Sequence, residues 1–319
     1  MNVALIFIIS LISLLWAANH LVTGASSMAT RLQLSPFIIG FTLVALGTSV
    51  PELVISILSF FKLKNNHIIG NALGSNIANI GLVLGISILI KPISLHYNTL
   101  KKTYSIIIIT MLFAYSLILD GFLGKIDGCL FLIACTALIA FFIYLANHSP
   151  QKDHVFIEFK SAINANRAFT ASILSITLGL FILPISTKYL LQSAIELAQW
   201  LGVNQLIVDL TIIAIGTTLP GLATAITAAL KGDEDLASGT ILGANFYSFL
   251  LILVFPAIIT PAKISSTILW RDIPVMLSIT LLLYFLNFIY KKKLSPWHGG
   301  ILLIVYCSYV ISLFIKVHI

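Results

Sequence analysis

Apolar residues recur along the whole chain in long blocks, and short polar stretches separate one block from the next. Each block is long enough to cross a hydrocarbon core of about 30 Å as an α-helix that rises about 1.5 Å per residue. A membrane β-barrel would instead need short segments of alternating polarity, which the pattern lacks. The pattern predicts about ten transmembrane helices, centred near residues 12, 48, 79, 110, 136, 180, 217, 248, 281 and 306.

The composition supports this interpretation. Hydrophobic residues make up 59% of the chain and charged residues only 9%, with a mean hydropathy of +1.07. A soluble domain carries about a quarter charged residues. The first apolar block, MNVALIFIISLISLLWAA, could be read as a signal peptide, but it lacks a basic start, so we interpret it as the first transmembrane helix.

The two halves of the chain resemble each other at one fixed offset. GTSVPE begins at residue 47 and GTTLPG at residue 216, and 216 minus 47 gives an offset of 169 residues. The same offset aligns GNALGSN at residue 70 with GTILGAN at residue 239, since 239 minus 70 is also 169. The sequence therefore predicts two five-helix repeats, residues 1–147 and 169–319, joined by a polar linker, residues 148–168.

Five helices per repeat have a geometric consequence, because the second repeat must then enter the membrane from the opposite side. The predicted fold is an all-α membrane protein built from two inverted repeats. Inverted repeats with proline-interrupted helices at matching positions point to a secondary transporter whose site lies near the bilayer midplane. No nucleotide-binding loop or catalytic motif is visible, so we expect neither ATP coupling nor an enzyme activity.

The two proline motifs suggest where cations bind. A proline within a helix removes one backbone donor, so Pro51 and Pro220 should each loosen the helix near Gly47 and Gly216. The freed carbonyls would lie beside hydroxyl side chains. Uncharged oxygens of this kind bind hard cations such as Na⁺ and Ca²⁺. The hydroxyl side chains are those of Thr48, Ser49, Thr217 and Thr218.

Glu52 adds a charge to the first motif. A carboxylate inside the bilayer costs several kcal/mol unless it is paired, protonated or hydrated, so it marks a functional site. Its partner is a bound cation or a proton; a purely structural role, as a protonated donor between two helices, is the alternative. The helix that follows carries Ser75 and Asn79 on one face, four residues apart.

Two acidic features have simpler interpretations than a cation site. Asp209 stands near the start of a predicted helix, where an acid suits the positive end of the helix dipole. The sequence KGDEDL, residues 231–236, is typical of a solvated loop, although acids at an entrance could also gather cations.

GTSVPE, GNALGSNIANIGL and their altered second copies resemble the paired repeats of the sodium/calcium exchanger family, within the cation/Ca²⁺ antiporter superfamily. The resemblance covers essentially the whole chain. It implies an antiporter whose inverted repeats enclose a cation site at the centre of the membrane. It assigns these ligands by position: the carbonyls of Ala45 and Ala214 and the side chains of Thr48, Ser49, Glu52, Ser75, Asn79, Thr217, Thr218 and Ser248.

The second repeat departs from the family pattern at three positions. Gly221 stands in place of a second glutamate, Ala244 in place of a serine, and Ser248 in place of an acid or amide. Ca²⁺ prefers six to eight oxygens, and a lone carboxylate leaves about one positive charge uncompensated. Three interpretations follow: Na⁺/Ca²⁺ exchange, an altered selectivity for a monovalent cation and H⁺, or a transport-inactive cation-binding protein.

The remaining expectations concern surroundings and partners. The net charge of +7 lies in short loops, where the Lys and Arg distribution places both termini on the extracytoplasmic side. No large insertion separates the repeats, which is typical of a compact prokaryotic-type exchanger in an inner or plasma membrane. The expected partners are the lipid bilayer and the cations Na⁺ and Ca²⁺, or H⁺ and K⁺; we expect no cofactor and no nucleic acid.

Overall fold

A computed structural model describes residues 3–50, 52–53, 65–93, 97–148, 168–202, 214–289 and 294–315 of the chain. Within these residues the protein is almost entirely helical, as the apolar pattern predicts. The helices are α1 (Val3–Leu32), α2 (Pro36–Thr48), α3 (Asn65–Ala78, Asn79–Leu84 and Gly85–Ile90), α4 (Tyr97–Ile118), α5 (Lys125–His148), α6 (Phe169–Trp200), α7 (Ala214–Leu230), α8 (Glu234–Ile259), α9 (Ile268–Asp272 and Ile273–Ile289) and α10 (Pro296–Ile315).

Each predicted span centre falls inside one of these helices. Among the described residues, seven helices are long and apolar enough to cross a membrane: α1, α3, α5, α6, α8, α9 and α10. Shorter apolar helices, residues 36–48 and 105–118, lie in α2 and α4. The helical membrane bundle is thus confirmed, while the count of ten spans stays a prediction.

A short antiparallel pair of strands closes one end of the bundle. β1 (Phe122–Leu123) and β2 (Ala262–Lys263) pair in the register Phe122 with Lys263 and Leu123 with Ala262. The pair ties the α4–α5 connection to the α8–α9 connection.

The buried apolar side chains of the described residues form two hydrophobic clusters. The larger cluster joins residues of α2, α3, α4, α5, α8, α9 and α10. The smaller cluster joins α1 and α6 to the inner faces of α2 and α7 and to the start of α8. α1 and α6 pack closely, because Gly179 has no side chain: a Cβ there would lie 2.9 Å from the backbone of Leu21. We refer to these two helices as the α1–α6 pair.

In the part of the chain that the structure describes, three helical segments are wider than an α-helix. Gly40–Val44 in α2, Asn79–Leu84 in α3 and Ile268–Asp272 in α9 are π-helical. Such segments are rare and often occur at functional sites. The segment in α2 ends directly before Ala45, and the segment in α3 begins at Asn79. Ala45 and Asn79 are both predicted cation ligands.

The acidic stretch 231–236 is only partly the solvated loop that its composition indicates. Lys231 and Gly232 are exposed, but Asp233 is 2% exposed and Leu236 is fully buried. Asp233 caps the start of α8, where its side chain accepts a hydrogen bond from the Leu236 amide. The prediction was wrong for Asp233, because a helix distant in sequence, α1, packs over this turn and shields it from water.

Candidate cation site

Glu52 lies on the helical continuation of α2, in the interior of the bundle. Its side chain is 3% exposed, and the Leu53 amide donates to the Ser49 carbonyl at 3.0 Å, so helical bonding persists here. The Ser248 hydroxyl of α8 donates a hydrogen bond to the Glu52 carboxylate. A residue of the first half and a residue of the second half, 196 positions apart, therefore meet in a buried contact.

The other first-half oxygens surround this carboxylate. Thr48, Ser49 and Ser75 are all buried, and the Ser75 side chain lies beside Glu52. The Ala45 carbonyl accepts from the Ser49 amide at 3.0 Å and from the Thr48 hydroxyl at 3.1 Å. Both lone pairs of that carbonyl, which the resemblance assigns as a cation ligand, are engaged in this arrangement. A cation that binds the Ala45 oxygen would have to replace the hydrogen bond that the Thr48 hydroxyl donates to it.

Asn79 brings α3 to the same place. It is buried, it begins the π-helical segment, and its side-chain nitrogen has no hydrogen-bond partner among the described residues. The Ser49 hydroxyl is likewise buried and unpartnered within the described part of the chain. Unsatisfied buried polar atoms are uncommon in native proteins and call for an explanation such as a missing ion or water.

The second-half residues come from α7. The helix begins at Ala214 in the described chain and runs on through Pro220 to Leu230. Thr217 and Thr218 are buried. Because Pro220 has no N–H, the carbonyl of Gly216 loses its normal partner one turn earlier. The α-helix continues through Pro220, and the weakened helix expected on this side stays a prediction.

Gly221 faces the first-half cluster across the bundle. A Cβ built on Gly221 would meet, among the described residues, only the Asn79 side-chain oxygen, at 3.8 Å. That distance is an ordinary van der Waals contact. The position that holds a second glutamate in the family pattern therefore points toward Asn79 and has room for a side chain. Ala244, the second altered position, is buried and supplies no polar side-chain atom.

A close helix crossing positions the site, and the sequence did not reveal it. A Cβ on Gly243 would lie 2.3 Å from the Phe41 carbonyl oxygen and 2.6 Å from the Ala45 Cβ. Only glycine permits this approach of α8 to α2. The crossing holds Ala45 and Ser248 on adjoining helices. The repeated GxxxG spacing of GTILGAN was the available signal, but it did not indicate which helix would lie against it.

The cluster has the chemistry of a hard-cation site. It combines one carboxylate with hydroxyl, amide and carbonyl oxygens, the ligand types that Na⁺ and Ca²⁺ prefer. Glu52 forms no ion pair with any other described residue; Arg271 and Asp272 of α9 do pair with each other, at 2.6 Å. A buried carboxylate without a basic partner is stabilised by a proton or a bound cation. A helical membrane bundle with such a cluster at its centre defines a membrane transporter of cations.

The chain belongs to the sodium/calcium exchanger family, whose model matches residues 2–147 and 171–315. The putative antiporter CaxA of Alkalimonas amylolytica is 36% identical over 317 residues, which cover 98% of this chain and 99% of CaxA. The inner membrane protein YrbG of Escherichia coli is 33% identical, with 93% and 92% of the two chains covered. The sodium-calcium exchanger NCX_Mj has been solved after soaking with zero Na⁺ and Ca²⁺, and that structure matches with a TM-score of 0.84 at 26% identity, over 98% of both chains. The resemblance is thereby confirmed.

Proposed function

We propose that this protein exchanges Na⁺ for Ca²⁺ by alternating access, with the cations bound at the interface of two inverted repeats. The repeats are residues 1–147 and 169–319, with residues 148–168 as the linker. The observation that carries the proposal is the buried contact of Glu52 with Ser248, which brings the two halves together at the predicted ligands. The NCX_Mj structures, described as those of a sodium-calcium exchanger, support the same function by similarity.

Neutral oxygens make the second part of the site. Thr48, Ser49, Ser75 and Asn79 come from the first repeat, and Thr217 and Thr218 from the second. Such oxygens are ligands that both Na⁺ and Ca²⁺ accept. A site at the meeting point of two repeats can open to either side when one repeat shifts against the other.

Gly221 favours a second candidate function, exchange of a monovalent cation for H⁺. Glu52 is the carboxylate of the cluster, and Gly221 contributes no charge where it faces Asn79. One carboxylate neutralises one monovalent ion or one proton, so Glu52 alone could alternate between Na⁺ or K⁺ and H⁺. The choice between the two candidates depends on whether neutral oxygens and water offset the second charge of Ca²⁺.

The proposed setting is a prokaryotic inner membrane, with both termini on the extracytoplasmic side. The distribution of Lys and Arg over the loops supports this orientation. YrbG, which matches 93% of this chain, is named an inner membrane protein. In this orientation α8 begins at the cytoplasmic side.

Ion flux in proteoliposomes tests the proposal. Vesicles loaded with Na⁺, K⁺ or acidic buffer are diluted to create one outward gradient at a time, and uptake of Ca²⁺, Na⁺ and K⁺ is followed separately. Na⁺-driven Ca²⁺ uptake supports Na⁺/Ca²⁺ exchange. Uptake of Na⁺ or K⁺ driven only by the pH gradient, without Ca²⁺ movement, supports the second candidate and overturns the first.

A binding measurement separates both candidates from a protein that no longer transports. A cation that binds the folded protein raises its melting temperature by an amount that grows with the logarithm of ion concentration. Stabilisation without flux would indicate a cation-binding protein. Neither stabilisation nor flux with Na⁺, K⁺, H⁺ or Ca²⁺ would overturn both transport proposals.

A further inference from the structure

α3 carries a third polar side chain in line with two predicted cation ligands. Asn71 precedes Ser75 by four residues, and Ser75 precedes Asn79 by four. Residues at this spacing share one face of a helix, so the three side chains form a column about 12 Å long, at about 1.5 Å per residue. We refer to Asn71, Ser75 and Asn79 as the α3 polar column.

Both amides of the α3 polar column have an unpartnered atom. The side-chain nitrogens of Asn71 and Asn79 are buried, and neither has a hydrogen-bond partner among the described residues. An asparagine that served to pair two helices would be hydrogen-bonded to the second helix. A buried polar atom without a partner calls instead for an ion or a water. Asn71 therefore extends the set of candidate ligands beyond the predicted ones.

The Asn71 amide can present an oxygen to a cation. A half-turn about the Cβ–Cγ bond exchanges the positions of its nitrogen and its oxygen. Because the nitrogen makes no hydrogen bond to a described residue, the turn gives up none there. Side-chain amide oxygens are among the ligands that Ca²⁺ accepts. Asn71 thus suits the same class of hard cation as the site below it.

The face of α3 around Asn71 is open. Gly70, Asn71 and Gly74 are each partly exposed, whereas Ser75 is 3% exposed. A Cβ on Gly70 or Gly74 would meet no described atom within 4 Å. Polar side chains within membrane helices almost always face the bundle interior or a water-filled cavity. The exposed amide therefore indicates a hydrated surface that leads to the buried Ser75.

The matching face of α8 is closed. At the offset of 169 residues, Gly239 and Gly243 match the two glycines of α3, and Thr240 matches the amide. All three are buried. A Cβ on Gly239 would lie 2.2 Å from the Phe37 carbonyl oxygen, and the Phe41 carbonyl blocks Gly243 in the same way. The Thr240 hydroxyl donates to the backbone carbonyl one turn earlier, at 2.8 Å. α2 thus covers on α8 the surface that is open on α3.

We propose that this open face of α3 is the extracytoplasmic entrance to the cation site, and that the Asn71 amide binds a hard cation there before the ion reaches Ser75. The proposal rests on the proposed exchange function and orientation. In that orientation α1 runs inward, α2 outward and α3 inward, so Asn71 lies on the extracytoplasmic side of Ser75. A single neutral oxygen suits an entrance, because an ion must bind there and also leave.

Thiol labelling of Asn71→Cys tests the entrance without requiring transport. The native cysteines, Cys129, Cys135 and Cys307, are first replaced by alanine. We expect a charged, membrane-impermeant thiol reagent to label position 71 in right-side-out vesicles and not in inside-out vesicles. Thr240→Cys is the matched control from the closed face and should resist the reagent from both sides. Labelling of Asn71→Cys from the cytoplasmic side alone, or from neither side, would overturn the entrance.

Exchange flux in vesicles of each orientation tests the amide in the protein with its native cysteines. Asn71→Leu keeps the size of the side chain but removes the oxygen. We expect the KM for the extracytoplasmic Na⁺ or Ca²⁺ to rise about fivefold, as the loss of one polar contact predicts, with the cytoplasmic KM unchanged. Asn71→Asp adds a carboxylate and should lower the extracytoplasmic KM for Ca²⁺. Thr240→Val is the control and should leave both KM values unchanged.

The outcomes separate this role from the exchange function. An Asn71→Leu variant whose KM changes equally on both sides would show a structural role and overturn the proposal. Native KM values in both Asn71 variants would overturn the role of Asn71 and leave exchange intact. Absence of flux from the native protein would overturn the exchange function, and the labelling result would then still decide whether this face of α3 opens to the extracytoplasmic side.

Discussion

The two halves of this protein resemble each other in sequence but contribute unequally to the proposed cation site. The first half supplies Glu52 and a set of hydroxyl and amide side chains, and the second half keeps the glycines and proline but has Gly221 and Ala244 where polar ligands are expected. Gly243 is packed so tightly that no side chain fits, whereas Gly221 has room toward Asn79. The two glycines therefore differ in what a side chain would do there. At Gly243 a side chain would clash with α2, whereas at Gly221 a side chain fits and a glutamate would add a charge to the site.

Removal of the Glu52 charge is expected to have the largest effect. Glu52→Gln keeps the shape but removes the carboxylate, and a unit charge 4 Å from an ion is worth roughly 4 kcal/mol at an effective dielectric constant of 20. We expect cation flux to fall by about a hundredfold or more. Flux of radiolabelled Na⁺ and Ca²⁺ into proteoliposomes measures this.

Glu196→Gln is a suitable control, since Glu196 is an exposed acid on α6. It should leave flux unchanged. Native flux in Glu52→Gln for every cation would show that the first half does not carry the essential charge.

Addition of the missing charge tests the other side of the comparison. Gly221→Glu places a second carboxylate toward Asn79, and we expect Ca²⁺ affinity to rise about tenfold or more, since Ca²⁺ commonly uses more than one carboxylate. Calorimetric titration of the detergent-purified protein with Ca²⁺ reports the change.

Gly221→Ala adds bulk without charge and should leave Ca²⁺ affinity within about twofold, because its Cβ makes only an ordinary contact. Equal effects of alanine and glutamate would mean that space, rather than charge, distinguishes the halves.

The bond that joins the halves is expected to have a smaller effect. Ser248→Ala removes the donor to Glu52, and interhelical hydrogen bonds in membrane proteins contribute about 1 kcal/mol, so cation affinity should change roughly fivefold. Ser238→Ala, a buried serine on the same helix whose hydroxyl bonds within α8, is the control. Titration by calorimetry of the two variants should separate them, and an equal change in both would remove Ser248 from the site.

The packing glycine should affect stability more than ion binding. Gly243→Ala forces a Cβ against the Phe41 carbonyl, and overpacking of this kind costs about 1–3 kcal/mol. A fall of a few degrees in the melting temperature is expected. Gly300→Ala, where no described atom lies within 4 Å of the added Cβ, should leave it unchanged. A native melting temperature in Gly243→Ala would show that the α2–α8 crossing can relax.

The sequence predicted the main features of the site because they depend on long-range repetition. The offset of 169 residues pairs GTSVPE with GTTLPG, and the expected inverted repeats predict that the two halves meet at these motifs, as Glu52 and Ser248 do. Local physics could not supply the rest. That the Ser248 hydroxyl is the donor to Glu52, and that Thr48 occupies the Ala45 carbonyl, follow from side-chain orientation within the packed bundle.

Asp233 is a residue whose burial the local sequence did not predict. KGDEDL is polar enough to indicate a solvated loop, and four of its six residues carry charge. Its burial depends on the passage of α1 over the turn, which no local pattern encodes. The π-helical segments were also outside prediction, because their hydrogen bonds differ from those of an α-helix by a single residue.

The π-helical segment Gly40–Val44 sets how the residues of α2 after it are rotated about the helix axis relative to the residues before it. Before the segment, the Phe37 carbonyl lies against Gly239 of α8; after it, Ala45 lies against Gly243 of α8, and the helix continues to Glu52. An α-helix turns about 100° per residue. The extra residue in the wide turn therefore rotates the residues after the segment by about that angle relative to those before it. Loss of a single residue between Gly40 and Val44 would keep every ligand in the sequence. It would nevertheless rotate the ligands after the segment relative to the packing contacts before it. The spacing of this short segment is thus as much a determinant of the site as the identity of its ligands.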